Sequence, residues 1–176
     1  VAVAALSGHC YIPAELTWRG APIGIEGRTA VAEDLEQFRF WHSIRVRYRD
    51  VDRQDIVYFG VYLEYFSQGI YEYFAALGIP LSETEPSGEF DTVFRRVEID
   101  YLGSARLDDT VRVGVRCVRI GNSSLEFAAV VVRERDDALL ARGRLVLVNH
   151  VRHAGRSKPI PEAIRHAVAN FDAVAV

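Results

Sequence analysis

Cysteine is scarce in this sequence: Cys10 and Cys117 are the only two, and they stand far apart with no Cys-x-x-Cys spacing. That argues against a disulfide or zinc framework and makes a reducing cytoplasm the expected setting. No stretch approaches the ~18 apolar residues that a membrane span needs. The opening Val1-Ala2-Val3-Ala4-Ala5-Leu6 is apolar, but it is too short for a secretory core and has no basic segment before it. A soluble protein is expected. Charge of one sign is also lacking: 21 basic against 24 acidic residues leave a net charge of -3. No global basic field therefore argues for nucleic acid or an anionic membrane. Lys158 is the one lysine among the basic residues, a bias read as genomic rather than functional. There is no Gly-x-Ser-x-Gly elbow and no glycine-rich phosphate loop, so neither a serine triad nor a nucleotide cradle can be argued. His150 and His153 have a spacing that some metal sites use, but no third ligand accompanies them, and no metal is expected.

The apolar fraction is 49% and the charged fraction 26%, ordinary values for a globular chain. A length of 176 residues fits one domain that buries about two-thirds of its unfolded surface. Residues 1–37 carry Pro13, Gly20, Pro22, Gly24 and Gly27 without a sustained period. They read as an N-terminal extension, with a short helical turn expected at Ala32–Gln37. The main domain is expected over 38–176. Its first strand runs from Trp41 to Arg49, where Ile44, Val46 and Tyr48 alternate with arginines. A polar loop follows, Asp50-Val51-Asp52-Arg53-Gln54-Asp55.

The spacing of Val61, Tyr62, Tyr65, Phe66, Ile70, Tyr73, Phe74 and Leu77 predicts a helix over 58–77, capped by Gly78 and stopped by Pro80. Gly69 lies on the same apolar stripe, which suggests close approach to another backbone. Four alternating stretches then predict strands: Val93–Tyr101, Val111–Cys117, Leu125–Val131 and Leu139–Val148. The last three are joined by short turns and form an antiparallel meander. Pro161–Phe171 is expected to be a C-terminal helix. One aromatic-striped helix is too little for a bundle but suits one curved five-stranded sheet wrapped around it, an α+β arrangement.

Chemistry is expected in the polar loop. Asp50, Asp52 and Asp55 precede a helix N-terminus, which offers unpaired N–H groups and a positive dipole end. A thioester carbonyl placed there would be polarised, and a neighbouring carboxylate would act as nucleophile or as base for water. By residue type alone an ordinary acidic cap region remains open, since acids before helices are common.

Val46-Arg47-Tyr48-Arg49-Asp50-Val51-Asp52, Ile56-Val57-Tyr58-Phe59-Gly60 and Tyr62-Leu63-Glu64-Tyr65-Phe66 resemble the signature of 4-hydroxybenzoyl-CoA-type hot-dog thioesterases. The resemblance continues through Val97–Leu102, Ala105–Asp109 and Ser123-Ser124-Leu125, covering about residues 38–148. It implies a hot-dog fold, an acyl-CoA thioesterase activity, Asp52 as the catalytic carboxylate and the Phe59 N–H as the carbonyl-polarising donor. It also implies acyl sites at a subunit interface, in a homodimer or homotetramer, with coenzyme A present only as part of the substrate. An acyl-carrier-protein thioester is the other carrier consistent with it.

Val61 and Tyr62 are expected at the acyl pocket, and Asn122, Ser123 and Ser124 form a turn able to hydrogen-bond the coenzyme A chain, or a plain hairpin turn. The chain departs from the family pattern at Asp55, usually glycine, at Val61, usually small and polar, and at Gly69-Ile70, usually Ala-Arg. Asp55 would occupy a place where the loop needs positive φ. Glu64 and Glu72 on the helix are weaker candidates, read as a solvated residue and a structural partner. The expected activity is hydrolysis of a medium-chain or aromatic acyl thioester. The alternative is a non-catalytic acyl-thioester binding or regulatory protein with the same fold. A dehydratase is disfavoured, because no histidine lies near the loop or the helix.

Overall fold

The structure, a computed structural model, describes residues 35–175, the side chains of 85–87 excepted. Residues 1–34 of the expected extension, Cys10 among them, therefore lie outside the described residues. Of the expected turn at Ala32–Gln37, Leu35–Gln37 are described and do turn, with Phe38 N–H donating to Leu35 O at 3.1 Å.

Alternation of β-branched and charged residues produces the sheet. In β3 (Thr110–Ile120), Val111, Val113, Val115 and Cys117 are fully buried. Leu125, Phe127, Ala129 and Val131 of β4 (Ser124–Arg133) point into the same core. With β1 (Phe40–Arg45), β2 (Thr92–Tyr101) and β5 (Ala138–Val151) they form an antiparallel sheet in the order β1-β3-β4-β5-β2. The expected meander is β3-β4-β5. A two-residue strand, β6 (Arg156–Ser157), was not legible in the sequence and pairs with the end of β5.

Helix α1 (Val61–Ala76) lays Tyr62, Tyr65, Phe66, Ile70, Tyr73 and Phe74 against this sheet. Tyr73 and Phe74 both meet the Phe127 ring edge-on, at 5.5 and 5.8 Å between centroids. The helix ends in a Schellman arrangement: Gly78 takes φ 73°, its N–H donates to Ala75 O at 3.0 Å, and Ile79 N–H donates to Phe74 O at 2.9 Å. A short helix, α2 (Leu81–Ser87), follows Pro80 and was not anticipated. Helix α3 (Glu162–Asp172) begins after Pro161 as expected, and it docks through Ile164, Val168 and Asp172. The Asp172 carboxylate accepts the Tyr73 hydroxyl at 2.6 Å and the Cys117 N–H at 2.8 Å. Burial pushes the Cys117 thiol up to about 12, so this cysteine is a core residue rather than a reactive one. Among the described residues no helix is long and apolar enough to cross a membrane.

Two expectations need correction. The first strand was expected to run to Arg49 with Tyr48 on its buried face; it ends at Arg45, and Tyr48 is 84% exposed. The chain leaves the sheet because the Asp50 carboxylate captures the Arg47 N–H and closes a 3-10 turn over Tyr48–Asp50. The central helix was expected from Tyr58 and begins at Val61, since Tyr58–Gly60 are spent on the turn that leads into it.

Gly69 is a close approach of α1 to β3. A Cβ there would lie 2.7 Å from Val113 Cγ1 and 3.0 Å from Val115 Cγ2, so valine side chains rather than backbone fill the space. Alanine would gain about 1 kcal/mol of helix propensity, but overpacking a filled core costs roughly 1–3 kcal/mol. Gly69→Ala should therefore lower the midpoint of denaturant unfolding; a raised midpoint would show that the helix sits less tightly than described.

Candidate active site

The candidate site is a loop folded back on itself between β1 and α1. Asp52 N–H donates to Ile56 O at 2.9 Å, Val51 and Val57 form a bridge, and Tyr58 N–H donates to Asp50 O at 2.9 Å. These bonds bring Asp50 and Asp52 beside the residues that open α1. At the tip, Asp55 takes φ 58°, the left-handed conformation expected where the family has glycine. Aspartate tolerates it better than most residues, so the loop keeps its shape without glycine.

The two neighbouring aspartates differ in their surroundings. Asp50 is 1% exposed. Its Oδ2 accepts the Arg47 N–H at 2.8 Å, Arg47 Nε at 3.1 Å and the Tyr65 hydroxyl at 3.2 Å, while Oδ1 accepts Arg47 Nη2 at 3.1 Å. Burial pushes the Asp50 carboxyl up. The Arg47 and Tyr65 hydrogen bonds and the Arg47 charge outweigh that and hold it below the usual carboxylate range. Burial and the Asp50 charge push the Tyr65 phenol well up, so it stays a donor at neutral pH. Asp52 is only partly buried; its Oδ1 accepts the Gln54 N–H at 2.7 Å, and Oδ2 accepts no bond among the described residues. Asp50 is thus saturated and structural, whereas Asp52 keeps a free oxygen.

At the start of α1, Val61 N–H donates to Tyr58 O at 2.9 Å, but neither the Phe59 nor the Gly60 N–H finds an acceptor among the described residues. The Phe59 carbonyl is held by the Tyr101 hydroxyl at 3.0 Å, which ties this turn to the end of β2. Phe59 itself is 60% exposed and packs on Tyr58, with Tyr101 edge-on to its ring. The loop and helix end therefore set a carboxylate oxygen and unpaired N–H donors beside an exposed aromatic surface.

Of the other expected site residues, Val61 and Tyr62 open α1 directly after Phe59 and Gly60, whereas the 122–124 turn lies elsewhere. Val61 is buried in the core, and Ile70 with it, so both departures on the helix are absorbed by packing. Tyr62 is buried too; its hydroxyl accepts the Ala105 N–H at 3.1 Å and donates to Gly103 O at 3.4 Å, holding the segment that backs the loop. Asn122, Ser123 and Ser124 form the β3–β4 turn, at the opposite end of β3 from Thr110, where the candidate loop lies. Ten strand residues separate those ends, roughly 30 Å, so one chain does not unite this turn with Asp52. The turn is pinned by Ile160 N–H to Asn122 O and Asn149 N–H to Ser123 O, both 2.9 Å.

Glu64 is exposed, 3.8 Å from Arg49, as a solvated residue would be; Glu72, expected to pair with an arginine, instead accepts from Gln68 at 2.8 Å. A cavity of about 850 Å³ opens on the outer face of the sheet among Arg116, Ala128, Val130 and Arg142 and is lined by none of these residues. Arg47, Tyr65 and Tyr101 were missed as parts of the site. The three-residue spacing of Arg47 and Asp50 is the one signal that could have pointed to them.

Residues 46–168, well over half of the chain, match the model of the thioesterase-like superfamily. The chain belongs to that superfamily. With it comes the class of thioester hydrolases, and the sheet curled around α1 is their hot-dog fold. The acyl-CoA thioesterase YbgC of Haemophilus influenzae is 25% identical over 130 residues, spanning 73% of this chain and 93% of that one. A Thermus thermophilus thioesterase solved with coenzyme A and Zn is 33% identical, with a TM-score of 0.66 over 78% of this chain and 98% of that one. The fold is also that of Slr0204, a 1,4-dihydroxy-2-naphthoyl-CoA thioesterase from Synechocystis, at a TM-score of 0.70 and 19% identity over 76% of this chain and 97% of that one.

Proposed function

We propose that this protein hydrolyses acyl-CoA thioesters, with Asp52 as nucleophile or base and the Phe59 N–H as oxyanion donor. The observation that carries this reading is the pairing, in one loop, of a carboxylate oxygen without a partner and a helix end with unpaired N–H groups. Membership of the thioesterase-like superfamily and the coenzyme A bound to the Thermus relative support it. A thioester carbonyl oxygen directed at the Phe59 N–H becomes more electrophilic at carbon. Asp52 then either attacks that carbon, expelling the thiolate and leaving an anhydride for water to cleave, or takes a proton from water as hydroxide adds to the carbon, and the tetrahedral intermediate collapses by breaking the C–S bond and releasing the thiolate. Asp55 in its left-handed conformation and Val61 and Ile70 within the core leave this geometry undisturbed, which favours the enzyme over the non-catalytic binder.

The protein acts as a homodimer in this reading. Strand β2 is a sheet edge with Val93, Phe94 and Tyr101 exposed, and Leu63 and Tyr71 of α1 are exposed beside it. Unpaired edges and apolar patches of this kind are normally covered. Twofold antiparallel pairing of two β2 edges sets the Thr92 end of one strand beside the Tyr101 end of the other. The 122–124 turn lies at the Thr92 end and the Phe59 turn at the Tyr101 end. Dimerisation would thus carry the turn of one protomer to the Asp52 loop of its partner, completing a coenzyme A site that the single chain leaves divided.

Asp52→Asn should reduce hydrolysis at least a hundredfold. Phe59→Pro, which deletes the N–H, should cost a similar factor, whereas Phe59→Ala, which keeps it, should stay within about tenfold. Full activity of Asp52→Asn, or equal loss in both Phe59 variants, would show that these groups are not the machinery.

Sedimentation at micromolar concentration should give twice the 19.8 kDa chain mass. Phe94→Arg should give a folded, inactive monomer; a wild-type monomer with full activity would remove the shared site.

The aromatic surface of Tyr58, Phe59 and Tyr101 suits an apolar acyl group. Each methylene buried against it contributes about 0.8 kcal/mol. Catalytic efficiency should therefore rise from acetyl-CoA toward decanoyl- or benzoyl-CoA, and a flat or falling series would refute the assigned class.

A further inference from the structure

We infer that Asp50, through Arg47 and Tyr65, is a positioning residue that holds both halves of the catalytic apparatus in register. The inference rests on the functional reading above and adds residues that neither touch substrate nor move a proton. Its basis is the set of places Asp50 reaches at once. Its side chain accepts from Arg47, where the chain leaves the sheet, and from Tyr65 near the N-terminal end of α1. Its N–H donates to Arg47 O at 2.9 Å, and its carbonyl accepts the Tyr58 N–H at 2.9 Å. Asp52 is two residues beyond it along the chain, and Phe59 is the residue after Tyr58. Through its carbonyl and its buried carboxylate Asp50 therefore links the segment that carries the nucleophile or base, the turn that carries the oxyanion donor, and the helix.

The alternative, a simple cap that stabilises a turn, would need only the Arg47 N–H. It leaves the tyrosine unexplained. Tyr65 is almost wholly buried in an apolar core, and its hydroxyl is spent on Asp50 Oδ2 at 3.2 Å. A phenylalanine would fill that space without a polar group to satisfy. The hydroxyl makes sense if the loop must be fixed relative to α1, because Asp52 rides on the loop and the Phe59 N–H on the turn into the helix. Small displacements between such groups are costly: a misplacement of about 1 Å can cost a hundredfold in rate.

The test compares Asp50→Asn, Tyr65→Phe and the double variant with Asp52→Asn in steady-state hydrolysis of the best acyl-CoA. Binding stoichiometry for a non-hydrolysable acyl-CoA thioether and the thermal midpoint are measured alongside. Tyr65→Phe changes almost no volume and should fold. It should lower kcat about tenfold with KM and stoichiometry unchanged, and Asp50→Asn should lower kcat about thirtyfold. The double variant should be no worse than Asp50→Asn by more than about twofold, because both changes act through one unit. Loss of stoichiometry in step with kcat would mean a merely structural role and overturn the inference. So would variants of Asp50 and Tyr65 that keep kcat within twofold while Asp52→Asn is silent. A wild-type protein that hydrolyses no acyl-CoA would overturn the functional reading and take the inference with it.

Discussion

Burial of the aromatic face of α1 against β3 and β4 is the constraint on which the other features depend. Tyr62, Tyr65, Phe66, Ile70, Tyr73 and Phe74 are all but inaccessible, and Gly69 lets the helix come down on Val113 and Val115. Burying side chains of this size contributes about 1.5–3 kcal/mol each, so the helix has essentially one seating. The position of its N-terminus follows from that seating, and so does the position of the Phe59 N–H. An oxyanion donor is useful only when it is fixed before the substrate arrives. Core packing thus reaches the chemistry through the backbone of one turn.

The loop that carries the carboxylate has no comparable core of its own. It is held by main-chain bonds to Ile56, Ala105 and Asp109 and by the ion pairs that the buried Asp50 makes with the half-exposed Arg47 and, at 3.6 Å, with the exposed Arg49. A buried carboxylate is costly unless its lone pairs are satisfied, and here Arg47 and Tyr65 satisfy them. The two neighbouring aspartates differ accordingly: Asp50 is saturated and holds the loop, and Asp52 keeps an oxygen without a partner among the described residues, as the proposed mechanism requires. The open β2 edge, with Val93, Phe94 and Tyr101 exposed, adds a second constraint, since unpaired apolar edges of this kind are normally covered.

Much of this was legible in the sequence because the physics is local and periodic. The stripe on α1, the glycine cap at Gly78, the three-strand meander and the C-terminal helix after Pro161 follow from spacing alone. The left-handed place at Asp55 was readable by resemblance, as a departure from glycine. What could not be read depended on particular side-chain hydrogen bonds rather than on periodicity. Tyr65 presents as one more core aromatic, and only its 3.2 Å bond to Asp50 reveals the hydroxyl's use. Tyr48 continued the alternation, yet the Asp50 side chain diverted the backbone three residues earlier. Val61 and Tyr62, expected at the acyl pocket, are buried with the rest of the apolar helix face, a burial that their stripe position alone already implied.

The central claim is that the acyl carbonyl sits between Asp52 and the N-terminus of α1. It is tested most directly by a crystal structure with an acyl-CoA analogue in which a methylene ketone replaces the thioester. The ketone oxygen should lie about 2.7–3.1 Å from the Phe59 nitrogen, with an Asp52 oxygen facing the carbonyl carbon. A ketone bound elsewhere, for example in the outer-face cavity beside Arg116 and Arg142, would contradict it.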